Sequence, residues 1–147
     1  MAIWALIADR SQARFLSTRG RGKGFELVEN IEHPSGRLRE HDLDADKRGR
    51  TGDSGRSGGA HATESEVSAT EELAIRFAHT LAERLRHAHD EHRFEHLILA
   101  AEPRFLGHLR KALDANTRRT VTFELHKHLL GMGDRDIAAQ LDPHVPL

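Results

Sequence analysis

Residues 2–8 (Ala-Ile-Trp-Ala-Leu-Ile-Ala) form a continuous apolar run. A run this short and unbroken predicts a central strand buried on both faces. Residues 13–18 predict a second strand, and the three glycines within Arg19–Gly24 a hairpin turn. Residues 25–31 alternate apolar and polar positions and predict a third strand, so the chain opens as an antiparallel meander. From Pro34 to about Thr63 the pattern disappears. The stretch holds six glycines and charges of both signs, with Leu38 and Leu43 its only large apolar residues. Such a composition cannot bury enough surface to order itself and predicts a long polar loop, a kind of loop that is generally functional or disordered.

Periodicity resumes with Leu73, Phe77, Leu81 and Leu85 at every fourth position, flanked by Ala74, Ala78 and Ala82. This predicts an amphipathic helix over about 65–90. Ser68 with Glu71, or Thr63 with Glu66, would supply a capping box. Residues 96–101 form a second short apolar run and another central strand. Pro103 suits the first turn of a helix that carries Phe105, Leu106, Leu109 and Leu113. Val121, Phe123 and Leu125 recur at period two within a fifth strand at 119–126. A last helix over 134–141 ends at Asp142-Pro143.

The order β-β-β-loop-α-β-α-β-α predicts an α/β fold with a mixed five-stranded sheet and helices packed on it. That order matches the ribonuclease H-like arrangement, an analogy of topology alone. A length of 147 residues suits a single domain, residues 1–147, able to bury a real core. The chain has no cysteine, which excludes disulfides, Cys-based zinc sites and a cysteine nucleophile. Its 22 basic and 23 acidic residues nearly cancel, so nucleic-acid binding would need a local basic cluster. Met1–Ala8 is too short to span a bilayer and lacks a basic leader, so a cytoplasmic protein with no membrane partner is expected.

Four groups of residues are candidates for chemistry. Lys47, Arg48, Arg50 and Arg56 lie within ten residues of one another, among glycines that let backbone approach phosphate. They fit an arm that binds RNA or an acidic partner, or a solvated linker neutralised by Asp42, Asp44, Asp46 and Asp53. No aromatic residue lies between 26 and 76, which argues against base stacking there. Asp9 and Glu102 end two strands that are neighbours in a ribonuclease H-like sheet. With Glu66 or Glu71 they would make a Mg²⁺ site for a nuclease. Alternatively Asp9 pairs with Arg10 or Arg14, and Glu102 caps the following helix. Arg104 is a candidate partner for Asp9. Twelve histidines are many for this length. His126 and His128 would share one strand face and could hold Zn²⁺ or Ni²⁺, whereas His87 and His89 sit badly for a shared ligand. An exposed histidine-rich surface is the alternative. The sequence carries no phosphate-binding Gly-x-x-x-x-Gly-Lys loop, dinucleotide fingerprint or nucleophile elbow.

Several stretches together resemble the bacterial host attachment protein family. They are Ala8-Asp9-Arg10 with Ala13-Arg14; His33-Pro34-Ser35-Gly36-Arg37 with Asp42-Leu43, Asp46 and Gly49-Arg50; Asp53-Ser54 running into Gly58-Gly59-Ala60-His61; Glu72 to Leu85; and Pro103-Arg104-Phe105-Leu106-Gly107. They cover nearly the whole chain in order. The family in turn resembles the middle domain of archaeal and eukaryotic class-one translation release factors. There a basic glycine-rich loop, tipped by Gly-Gly-Gln, precedes a long helix. Arg56-Ser57-Gly58-Gly59-Ala60 stands in the equivalent place, and Arg76-Phe77-Ala78 echoes that helix. Ala60 replaces the glutamine, so the resemblance does not imply peptidyl-tRNA hydrolysis. It implies a non-catalytic domain that contacts RNA or the ribosome through Lys47, Arg48, Arg50, Arg56, Gly58, Gly59 and His61. A second candidate site lies at Asp9, Arg10, Glu102 and Arg104. No cofactor is expected. A protein-interaction module using the same loop and a Mg²⁺-dependent nuclease are the alternatives.

Overall fold

The computed structural model describes residues 2–33 and 58–147, and for 58–67 the backbone alone. Five strands and four helices follow one another: β1 (Ile3–Ala8), β2 (Gln12–Thr18), β3 (Glu26–Glu32), α1 (Gly58–Asp90), β4 (His96–Ala100), α2 (Pro103–Ala112), α3 (Ala115–Arg118), β5 (Val121–Leu125) and α4 (Asp134–Leu141), then a 3₁₀ turn at Asp142–His144. The sheet order is β3-β2-β1-β4-β5. β1–β2 and β2–β3 are antiparallel, whereas β1–β4 and β4–β5 are parallel. This is the mixed five-stranded α/β sheet predicted from the element order.

β1 lies at the centre, and all six of its residues are buried. Its alternate side chains feed two cores. Trp4, Leu6 and Ala8 join Phe15, Leu97 and Leu99 against α1 and α2 on one face. Ile3, Ala5 and Ile7 join Leu16, Ile98 and Ala100 beneath Leu129, Ile137, Leu141 and Val145 on the other. A strand covered on both faces has no polar face to keep, which is why the sequence shows an unbroken apolar run. The first face carries most of the cover, since α1 lays Phe77, Leu81 and Leu85 along it at helical spacing.

Helix α1 begins earlier than predicted, at Gly58 instead of about 65. No proline interrupts residues 58–90, and extending a helix already anchored by packing costs little per residue. The expected capping-box residues therefore fall inside the helix. Its C-terminus is a Schellman-type ending. His92 (φ 58°) takes the left-handed position, and Arg93 N donates to Ala88 O at 2.9 Å. The short α3 has no apolar period to announce it and is built on its cap, with Asp114 accepting from Thr117 N. Arg21 fastens the β2–β3 hairpin to the last turn by donating to Val145 O and Pro143 O. Among the described residues, no helix is long and apolar enough to cross a membrane.

Candidate functional site at the strand ends

β1 and β4 run parallel as neighbours, pairing Ile7 with Ala100. The residues that follow them, Asp9 and Glu102, therefore emerge on the same edge of the sheet, where α/β folds usually hold their ligands. A cleft of about 570 Å³ opens there, lined by Asp9, Arg10, Ser11, Glu71, Glu102 and Arg104. The second site suggested by the sequence is thus a single place in the fold, and Glu71 of α1 completes it.

Each of its carboxylates has donors of its own. Asp9 Oδ1 accepts from Ser11 N and Gln12 N, both at 2.8 Å, and from Ser11 Oγ at 3.3 Å. Asp9 N in turn donates to Gln12 O at 2.9 Å. This is an aspartate-organised turn of the kind that lets a chain reverse tightly between antiparallel strands. Asp9 Oδ2 lies 3.3 Å from His128 Nε2. Glu102 is the N-cap of α2, accepting from Phe105 N at 2.9 Å, with Pro103 in the first turn where no N–H is needed. Glu71 Oε1 meets His108 Nε2 at 2.8 Å and Arg104 Nε at 3.3 Å.

Three expected pairings are corrected by this geometry. Asp9 does not pair with Arg14, whose guanidinium lies 3.4 Å from Asp134 on the opposite face of the sheet. Arg104 does not pair with Asp9 because α2 turns it towards Glu71. His126 and His128 do not share a strand face. The β4–β5 ladder closes with Ala101 N donating to Leu125 O at 3.1 Å, and the chain leaves the sheet after Leu125. His126 then lines a different cleft, while His128 reaches Asp9. Among the described residues, no group of three or more His, Asp or Glu side chains is arranged to hold a metal ion.

One participant was not singled out from the sequence. His108 stands four residues after Arg104, a spacing that puts both on one side of α2, and this signal was available. His128 was singled out, but as a metal ligand beside His126; its contact with Asp9 had no local signal, because tertiary packing alone places the loop that carries it.

The first group of candidates falls differently. Lys47, Arg48, Arg50 and Arg56 lie outside the described residues. Gly58, Gly59 and His61 belong to the first turns of α1 and so do not form a loop tip. Where the segment 34–57 leaves the sheet is well defined. His33 N donates to Ser11 O at 2.7 Å, and the His33 ring stacks on Phe77 with centroids 5.0 Å apart. Its point of departure is therefore the rim of the strand-end cleft.

Among solved structures, the archaeal translation termination factor aRF1 is similar over 97% of this chain and 37% of its own, at 15% identity and a TM-score of 0.49. A second structure, described as an archaeal protein, is similar over 97% of this chain and 36% of its own, at 14% identity and a TM-score of 0.38. The chain thus spans little more than a third of either length. No curated protein matches the sequence. A family model described as "Protein required for attachment to host cells" matches residues 4–141, and the chain belongs to that family.

Proposed function

We propose that this chain is a non-catalytic, cytoplasmic binding domain that engages RNA, free or in the ribosome, through its basic central segment and the rim of the strand-end cleft. The observation that carries this reading is the bond from His33 N to Ser11 O, 2.7 Å long. It puts the departure of the segment bearing Lys47, Arg48, Arg50 and Arg56 beside Arg10 and Ser11.

The test is binding of purified protein to single-stranded RNA and to ribosomes across a salt series, beside an Arg48/Arg50/Arg56→Ala variant. Each lost phosphate contact reduces the log–log salt slope by about 0.7, so a drop of about 2 is expected. Absence of binding at low salt, or a variant indistinguishable from wild type, refutes the reading. A complex with protein that survives nuclease treatment would put a protein partner on the segment instead.

A further inference from the structure

Charge is distributed unevenly along the chain. Between Pro103 and His128 there are six Lys and Arg residues against two carboxylates, a net +4 within a chain of net −1. The fold gathers part of this excess at the outer edge of β5, the last strand of the sheet order. An open cleft of about 490 Å³ there is lined by Arg110, Arg118 and His126 together with β5 itself.

Among the described residues, a carboxylate neutralises one of these arginines. Arg110 is clamped by Glu124, with Nε 2.9 and 3.0 Å from its two oxygens. Arg118 donates to the carbonyls of Arg110 and Leu113, and Arg119 to the side-chain oxygen of Asn116 at 2.8 Å. Those acceptors are neutral, so among the described residues no carboxylate pairs with either guanidinium. Lys111 is exposed at the end of α2. The other carboxylate of the region, Asp114, is turned inward onto Thr117.

We infer that the β5 edge, together with the adjoining C-terminal ends of α2 and α3, is a second anchoring surface for a phosphodiester backbone, carried by Lys111, Arg118 and Arg119 and flanked by His126. This rests on the RNA-binding reading above and extends it. The surface offers positive charge and has little to hold a base. The aromatic ring of β5, Phe123, is already stacked on His144 with centroids 3.8 Å apart. An acidic peptide adding as a strand would look for side-chain pockets along the edge. A sequence-independent backbone contact needs only the cations. The surface also joins the first site, since the chain runs from His126 directly to His128, which touches Asp9 at the strand-end cleft. One strand of RNA laid along β5 would arrive where the segment 34–57 departs.

The experiment is fluorescence anisotropy of a labelled 12-nucleotide single-stranded RNA, titrated with the full chain over a range of KCl. A Lys111→Ala/Arg119→Ala variant is compared with wild type and with the Arg48/Arg50/Arg56→Ala variant. Neither Lys111 nor Arg119 supports the backbone of another element, and thermal unfolding checks that the double variant stays folded. The log–log slope is expected to fall by about 1.4 in the double variant, two contacts at about 0.7 each. A wild-type slope and affinity in the double variant, with loss in the central-segment variant, overturns this inference and leaves the RNA reading standing. Loss in the double variant alone keeps this inference and removes the central segment's part in RNA binding. Poly-glutamate competing as well as RNA of equal charge makes the surface a general acidic-protein site and also overturns the inference. No binding by wild type at low salt removes both.

Discussion

Replacing Asp9 separates architecture from chemistry at the strand-end cleft. In Asp9→Ala, the backbone N–H groups of Ser11 and Gln12 lose a charged acceptor at 2.8 Å each. A hydrogen bond to a charged group is worth about 1.5–3 kcal/mol, and water replaces part of it at a turn that is only partly buried. A total cost of about 2–3 kcal/mol follows, or roughly 5–10 °C in Tm for a domain of this size. Asp9→Asn keeps a neutral oxygen to organise the turn and loses the carboxylate charge, which faces both N–H groups as well as His128. That imidazole is 53% exposed, so its contact with Asp9 contributes about 0–1 kcal/mol. The ratio is the informative quantity: alanine should cost at least twice what asparagine costs. Urea unfolding at neutral pH measures it, with the midpoint shifting and the slope m unchanged. Equal destabilisation by the two substitutions, or an alanine cost below about 1 kcal/mol, would refute the structural assignment and return Asp9 to the list of candidate reactive groups.

Two further outcomes are expected. At Asp114, burial favours the neutral acid, but hydrogen bonds from the Thr117 hydroxyl and backbone and from Asn116 outweigh it and hold the carboxyl below the usual aspartate range. A depressed folded-state pKa means stability that is complete above the unfolded value, about 3.9, and is lost as pH falls through the folded one. Asp114→Ala should therefore cost about 1 kcal/mol near pH 7, with the gap to wild type closing below about pH 4; a gap that persists unchanged into strong acid contradicts this. At His92, the left-handed backbone (φ 58°) suits glycine better than a residue with a Cβ. His92→Gly should raise stability by about 0.5–1 kcal/mol by denaturant melt, and a lowered midpoint would show that the imidazole contributes more than the backbone loses.

What could be read from the sequence follows from how local each determinant is. β1 and β4 were legible because strands covered on both faces leave unbroken apolar runs, and α4 over 134–141 because its turn signals bracket it. The start of α1 was not, since Gly58 and Gly59 look like loop when judged without the packed helix behind them. Within the cleft, the capping role of Glu102 was legible from Pro103 beside it. The contacts of Asp9 with His128 and of Arg14 with Asp134 join residues 119 and 120 positions apart. No local spacing encodes such pairs; they exist only because the sheet and its helices bring distant segments together.

The central position of β1 also shapes how the chain reaches its native state. On one side its ladder closes within a hairpin, Ala8 against Ala13; on the other it waits for Ile3 to meet His96, 93 residues later. Closing the first costs little chain entropy and the second much more, so the meander can assemble before β4 arrives. Substitutions in β2 should then slow refolding, while those in β5 should mainly hasten unfolding, a division that φ-value analysis resolves. The middle strand of the sheet is the point at which a fast, local half of the folding reaction hands over to a slow, long-range one.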